Sequence, residues 1–326
     1  MKVVSGEEGY SLAINAAIPD WFFEGDAVYN ETVLTKQGRG KLPLFLNAYP
    51  SLWQAGKKYS WMKLRNGSLK DYVPNHYNLG YLLVNYGREK YGDDFWTKVT
   101  RDASAYKGLF YPFQTAIKKY AGVDYKTFRE QAFEFYKKQT ERMAQVRDEY
   151  VLPVKKSYVS NYYFPYSAGA DSLIYLKTSY RHRRAFYIKD AKGEHRLKTR
   201  DIAIDEQFSY RNGKIVYSAY ESDARWGWKD YSVIKLLDVQ TGKQQTLTHK
   251  TKYFTPDISE DGSLVAAVQF DENGKSELHS LNTNGGTVLN KIHSPEINLF
   301  TDPKFLDDKT IISAVRLKDG RMYLAK

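Results

Sequence analysis

Four short apolar runs recur through the second half of the chain. They are Ser172-Leu173-Ile174-Tyr175-Leu176, Lys214-Ile215-Val216-Tyr217-Ser218, Ser263-Leu264-Val265-Ala266-Ala267 and Thr310-Ile311-Ile312-Ser313-Ala314, with first residues 42, 49 and 47 positions apart. Each of the first three is followed by a second strand-like run that ends in a polar corner with glycine: Ile188–Gly193, Leu237–Gly242 and Leu281–Gly285. Glycine at such a corner gives the positive φ that a tight strand-to-strand turn requires. A period of roughly 40–50 residues with several short strands is that of one four-stranded propeller blade. The spacing therefore predicts antiparallel blades over 161–326, about three and a half of them, with the chain ending inside the fourth unit. Such a ring is incomplete, because closure takes at least four blades.

The first half reads differently. Asn75 precedes a run from Tyr77 to about Tyr91 whose apolar residues follow helical spacing, and Gly92 stands at its end. Gly80 inside that run costs about 1 kcal/mol against alanine, which points to a close helix crossing there. Further helices are predicted over 93–105 and 112–120. Asp124 caps another that continues to about Tyr150, with Phe128, Ala132, Phe135, Gln139, Met143 and Val146 as its inner stripe. Residues 1–18 read as a loop and a short turn, and 44–74 as an aromatic, irregular segment broken by Pro50, Gly56, Gly67 and Pro74. The chain is thus multidomain, α then β: a helical domain at 1–152, a linker at 153–160 that starts at the helix-ending Pro153, and the blades at 161–326.

Composition narrows the function. There is no cysteine among the 326 residues, which excludes disulfides, thiolate chemistry and cysteine-ligated metals. No 18-residue apolar run is present, so no transmembrane segment is expected. The net charge is +11, yet the basic residues are spread along the chain and accompany no nucleic-acid-binding signature. Nucleic acid is therefore not the expected partner. The densest basic cluster, Arg181-His182-Arg183-Arg184, and the glycine-rich stretch Gln37-Gly38-Arg39-Gly40-Lys41 both read as surface loops. Arg225-Trp226-Gly227-Trp228-Lys229-Asp230 reads as an inserted hairpin tip. There Trp226 and Trp228 either form a partner-binding hot spot or fold back onto the blade.

Two stretches carry family resemblance. Pro256-Asp257-Ile258-Ser259-Glu260-Asp261-Gly262 is similar to the P-x-x-S-x-D-G turn of TolB-like, WD40-type propeller repeats. Trp21, Glu24, Gly25, Ala27, Tyr29 and Glu31 match the W-x-x-E-G-x-A-x-Y-x-E pattern of gluzincin zinc peptidases. The turn Tyr91-Gly92 also resembles a turn behind the zinc helix of that family. Pro19 and Asp20 start the helix, with Asp20 as its cap.

The gluzincin resemblance implies a metal-ligand role for Glu24, the third zinc ligand. It implies supporting positions for Asp26 and Glu31, and a transition-state donor at His76 or Tyr77. The other two ligands of the family belong to an HExxH helix. None of the six histidines, His76, His182, His195, His249, His279 and His293, lies four positions from another. The family's spacing would place that helix on Met1–Ser5, which reads MKVVS, or before it. The resemblance therefore implies a fragment of an exported, cell-envelope (periplasmic) zinc metallopeptidase with a C-terminal propeller that presents protein or peptide. Zinc belongs to the parent protein, and this chain alone holds none tightly and is inactive. The alternative is a non-catalytic protein-interaction module built on the propeller.

Overall fold

A computed structural model describes residues 2–108, 110–140 and 157–326. The chain forms two compact units, Met1–Val159 and Ser160–Lys326.

The first unit is helical. Its elements are α1 (Lys2–Ala17), α2 (Asp20–Leu34), a 3-10 turn (Arg39–Lys41), α3 (Pro43–Leu46), α4 (Ala48–Gln54), α5 (Trp61–Asn66), α6 (His76–Tyr91), α7 (Phe95–Ser104), α8 (Pro112–Ala121) and α9 (Tyr125–Thr140). The loop expected over 1–18 is in fact helix, bent at Gly6 where φ is 69°. Its sequence has no clean apolar stripe, and the Tyr106 hydroxyl donates to the Ala13 carbonyl (2.5 Å). The segment 44–74 contains three short helices joined by the irregular stretches 55–60 and 67–74. Each stops within two turns, too short for periodicity to show.

At the start of α2, Pro19 occupies the cap position in extended conformation and Asp20 is the first helical residue, with no side-chain cap bond. Asn75 caps α6 as the sequence suggests, accepting from the Asn78 N–H (3.1 Å). Asp124 does the same for Thr127 (2.8 Å).

The two glycines of α2 and α6 explain how these helices meet. A Cβ built on Gly25 would lie 2.2 Å from the Gly80 carbonyl carbon, and one on Gly80 would lie 2.0 Å from the Trp21 carbonyl oxygen. Backbone touches backbone, as Gly80 foretold. Around that crossing the core is aromatic. Trp96 stacks on Phe113 (5.9 Å, 13°) and meets Trp21 edge-on (6.2 Å). Its indole N–H donates to the Val84 carbonyl (2.8 Å), so the buried ring leaves no polar atom unpaired. Phe128 and Ala132 of α9 are fully buried, but Phe135, expected on the same stripe, is 36% exposed. Phe133 packs instead, stacked on Tyr49 (5.6 Å). Met143, Val146 and the predicted continuation to Tyr150 lie outside the described residues, as does Pro153.

The second unit contains fifteen strands in four antiparallel sheets. The first is β1 (Ser160–Gly169), β2 (Ser172–Ser179), β3 (Ala185–Asp190) and β4 (Gly193–Thr199). The second is β5 (Phe208–Arg211), β6 (Lys214–Ser222), β7 (Asp230–Asp238) and β8 (Gln244–Thr246). The third is β9 (Tyr253–Ile258), β10 (Leu264–Phe270), β11 (Ser276–Asn282) and β12 (Val288–Ile292). The last has three strands, β13 (Ile297–Asp307), β14 (Thr310–Leu317) and β15 (Met322–Ala325). Within every sheet the strands pair in chain order. Each sequence repeat falls on the second strand of its sheet. These are propeller-type blades in an incomplete ring: among the described residues no strand of the first sheet pairs with one of the fourth.

Adjacent blades are joined by apolar layers and by a recurring side-chain bond. Ile174, Leu176 and Phe186 of the first blade pack on Ile215 and Tyr217 of the second. Val216 and Ile234 pack on Val265 of the third, and Ala266, Val268 and Leu278 on Phe300 and Val315 of the fourth. The Tyr166 hydroxyl donates to the Phe208 carbonyl (2.9 Å), Ser209 Oγ accepts from the Ile258 N–H (3.4 Å), and Asp257 Oδ2 accepts from the Phe305 N–H (2.8 Å). Phe164, Thr255 and Asp302 each adopt a positive φ (52°, 48° and 47°) immediately before a proline, at breaks in strand register. Pro256 thus sits in an edge strand at an irregularity, where the missing N–H leaves no ladder bond unmade. In the fourth blade Leu324 pairs with Ala314. Phe186 pairs with Leu176, Ile234 with Ser218 and Leu278 with Val268 at the corresponding places. Those three are buried and Leu324 is 74% exposed.

Candidate functional site

Two places gather residues with binding chemistry, one in each unit. In the helical unit a cavity of about 750 Å³ is lined by Asp20, Trp21, Glu24, Trp61, His76 and Tyr125, with others. Glu24 is half-buried there and makes no hydrogen bond or ion pair among the described residues. His76 reaches the same cavity from the first turn of α6 and lies against the Tyr77 ring (4.3 Å between centroids). Tyr77 does not line the cavity. Its ring sits under the Arg39 guanidinium (5.1 Å).

The structure places Asp26 and Glu31 away from Glu24's cavity. Asp26 accepts from Asn30 Nδ2 (3.0 Å) and from Arg88 Nη2 (2.9 Å), tying α2 to α6. Glu31 takes the Arg39 backbone N–H on Oε1 and the Arg39 Nε on Oε2, both at 2.9 Å. Those bonds from Arg39 hold its carboxyl below the usual range. The glycine-rich stretch is therefore no open loop. Gly38 and Gly40 are buried against α2, and the Gly40 N–H donates to Thr32 Oγ1 (2.9 Å). A Cβ on Gly38 would lie 2.2 Å from the Thr32 Cα. Sequence reading assigned this stretch to the surface because glycine and lysine are common there. The signal it missed is the pairing of Glu31 with Arg39.

Asp20, Glu24 and His76 bring two carboxylates and one imidazole to the lining of the cavity. Among the described residues no three His, Cys, Asp or Glu side chains are grouped so that they could hold a metal ion. Zinc catalysis takes three protein ligands and an open position, so this donor set does not fit zinc by itself.

The second place is the hairpin tip between β6 and β7. Trp226 is 62% exposed and Trp228 is fully exposed. Neither ring folds back onto the blade. The tip is nevertheless fixed from below. Asp223 Oδ1 accepts from the N–H groups of Arg225 (2.8 Å) and Trp226 (3.0 Å), and Oδ2 accepts from the Tyr231 hydroxyl (3.0 Å). The backbone N–H groups of Arg225 and Trp226 hold the Asp223 carboxyl below its ordinary value. The loop is closed by Asp223 N–H to Lys229 O (3.1 Å) and Lys229 N–H to Trp226 O (2.9 Å). The Arg225 guanidinium lies 5.6 Å from the Trp226 ring centroid. Asp223 was overlooked in the sequence, although an aspartate two and three residues before the donors is the pattern of a side-chain-stabilised turn. The other basic cluster is a loop between β2 and β3, where Arg184 pairs with Glu206 (2.5 Å).

No known protein family and no curated protein matches this sequence. Solved structures with related architecture include the putative TolB from Agrobacterium tumefaciens, at 13% identity and a TM-score of 0.33, covering 47% of this chain and 60% of that one. TolB from Acinetobacter baumannii gives 18% identity and a TM-score of 0.33, over 47% of this chain and 40% of that one. The propeller domain of the Trilobed protease from Pyrococcus furiosus, described as having an open velcro topology, gives 14% and 0.33, over 51% and 57%. This chain thus spans less than two thirds of each. Likeness at this level says nothing of activity or ligand, and the blade assignment rests on the strand order and register above.

Proposed function

We propose that the bladed unit is a protein- or peptide-binding module that engages its partner through the Arg225–Lys229 tip. The observation that supports this is the pair of exposed tryptophans on a braced loop. A fully exposed indole is unfavourable in water, and its area is recovered when a partner pocket covers it. Asp223 holds the backbone beneath the rings, so docking orders only a few side-chain torsions. Tryptophan and arginine are the residue types that dominate binding hot spots. No step of this reading requires catalysis by the chain.

The test selects peptides from a displayed library on the intact chain, then measures them against Trp226→Ala and Trp228→Ala. Each substitution is expected to weaken binding by about 2 kcal/mol, or more than tenfold. Neither should change unfolding by more than about 0.5 kcal/mol, since both rings are exposed. Peptides that bind the double variant as well as the natural chain would sink the proposal.

A second reading is favoured by Glu24 alone, which lines its cavity with His76 and has no partner among the described residues. In it, the helical unit is part of a cell-envelope zinc peptidase, and Glu24 is the third ligand beside two histidines of an HExxH helix. Zinc would there supply an activated water, while Glu24 would hold the metal and Trp21 and Phe22 would fix the helix that carries it. The test is calorimetry with zinc on this chain fused behind the HExxH helix of a zinc peptidase, with and without Glu24→Ala. Stoichiometric binding that Glu24→Ala weakens at least about tenfold supports the reading. Binding indifferent to that substitution removes Glu24 from the site.

A further inference from the structure

A separate cavity of about 400 Å³ lies between α4, α5 and α9 of the helical unit. Its walls are aromatic: Tyr49, Trp53, Tyr59, Trp61 and Phe133. Its rim is basic, with Lys57, Lys58, Lys126, Arg129 and Lys137 against the single carboxylate of Glu130, which is 3.9 Å from Lys126. This size and this mixture of an apolar body with a few polar groups are those of small-molecule sites.

One side chain in it lacks a counter-charge, and one wall residue is sealed in. Arg129 is half-buried, flat over Trp61 (4.1 Å) and Tyr125 (4.6 Å). Its Nε donates to the Tyr125 carbonyl (3.1 Å), and among the described residues no carboxylate lies within ion-pair distance of it. Burial pushes its pKa down from the usual arginine value, the mark of a cation withdrawn from water without a full counter-charge. Arginine nevertheless keeps its proton at neutral pH. The wall residue is Tyr49, 2% exposed, whose hydroxyl is sealed from the surface and makes no hydrogen bond among the described residues, so it offers the cavity its ring. Burial pushes its pKa well up, so it stays an O–H donor. An anion in the cavity would supply the counter-charge that Arg129 lacks among the described residues.

We propose that this cavity binds a carboxylate carried on an aromatic or branched apolar body, with Arg129 and the lysine rim taking the carboxylate and the Tyr49–Trp53–Phe133 wall taking the body. A bare inorganic anion would leave the aromatic wall uncovered, and a neutral aromatic would leave Arg129 unpaired. The shared chemistry has two sources, a free aromatic acid and the C-terminal end of a peptide.

The test titrates the intact chain with 3-phenylpropionate, with N-acetyl-Gly-Gly-Phe and with its C-terminal amide, read by tryptophan fluorescence from Trp53 and Trp61. At least one acid is expected to saturate. The amide should bind about tenfold or more weakly, because a charge-assisted bond is lost. Tighter binding of the tripeptide identifies a peptide end, and tighter binding of phenylpropionate a free acid. Arg129→Gln should weaken the acid about tenfold. Lys58→Gln, on the exposed rim, should weaken it a few-fold and reduce its salt dependence without touching the fold. Equal binding of acid and amide, or affinity indifferent to salt and to both substitutions, would overturn the assignment.

Discussion

The close crossing of α2 and α6 inverts the usual effect of a glycine-to-alanine change. In an open helix Gly80→Ala would stabilise by about 1 kcal/mol. Here the new methyl would sit 2.0 Å from the Trp21 carbonyl oxygen, where 3.4 Å is ordinary contact, so the helices must part by 3.4 − 2.0 = 1.4 Å. Neither atom belongs to a flexible side chain. A gap of about 1 Å already forfeits between a quarter and a half of each dispersion contact along the interface. That interface contains Trp21, Val28, Leu79 and Leu83, none more than 2% exposed. Overpacking typically costs about 1–3 kcal/mol, and a backbone clash belongs at or above the upper end. After the propensity gain is subtracted, a net loss of about 2 kcal/mol remains, or about 4–8 °C in a unit of this size. The assay is thermal unfolding of the whole chain followed by near-ultraviolet circular dichroism. The tryptophan bands of that signal come from the packed indoles of the helical unit, since Trp226 and Trp228 are exposed. Ala27→Gly, on the exposed face of α2, calibrates the propensity term at about 1 kcal/mol of destabilisation. If Gly80→Ala unfolds at or above the temperature of the natural chain, the helices do not touch at this point and the reasoning fails.

Two other substitutions have definite outcomes. Arg200 is 4% exposed, and its guanidinium donates to the carbonyls of Asp201 (3.0 Å), Asp205 (2.8 Å) and Gln207 (3.2 Å) between the first and second blades. Arg200→Lys keeps a charge but not the planar fork, so urea unfolding of the bladed unit should lose about 2–3 kcal/mol. An unchanged midpoint would show the fork to be dispensable. Asp102, 1% exposed, accepts from Lys119 Nζ (2.7 Å), the Tyr120 hydroxyl (2.7 Å) and Lys107 Nζ (3.0 Å). Those bonds, Lys119's foremost, hold its carboxyl far below the usual range. A depressed folded-state value means stability present at neutral pH and lost as acid protonates the folded carboxyl. The difference in stability between the natural chain and Asp102→Asn should therefore be constant from about pH 7 to 5 and shrink below pH 4. A difference that does not change with pH would mean that the charge contributes nothing.

The bladed unit was legible because each blade repeats one local problem. An apolar run, a polar corner and a glycine must recur wherever a strand turns back, and the four runs fall on the second strand of all four sheets. The helices α6, α7 and α8 were legible for the same local reason, through caps and periodicity. What escaped was set by distant partners. Nothing in the neighbourhood of residues 37–41 says that Glu31 will take Arg39, or that Gly38 and Gly40 will be buried. Phe135 and Phe133 lie two positions apart on α9, and only the presence of Tyr49 and Trp53 decides which one packs. The Arg129 cavity draws on residues from 49 to 64 and from 126 to 137, and no single window contains it. At the tip, sequence left the two indoles evenly divided between an exposed hot spot and rings folded back onto the blade. Asp223 holds the loop through its carboxylate, which takes the N–H groups of Arg225 and Trp226, and both rings stand exposed.

Three side chains reach forward along the chain, each from one blade to the next. Tyr166, Ser209 and Asp257 each meet a main-chain group of the blade that follows. A blade is therefore never an independent tile: withdrawing it strands a buried polar atom on its neighbour as well as an apolar layer. Opening must then proceed as fraying from an end, like a zipper, and the end with Leu324 in water has the least to lose. Amide protection should rise stepwise from the fourth blade towards the second, so that the stack stores its order as a gradient.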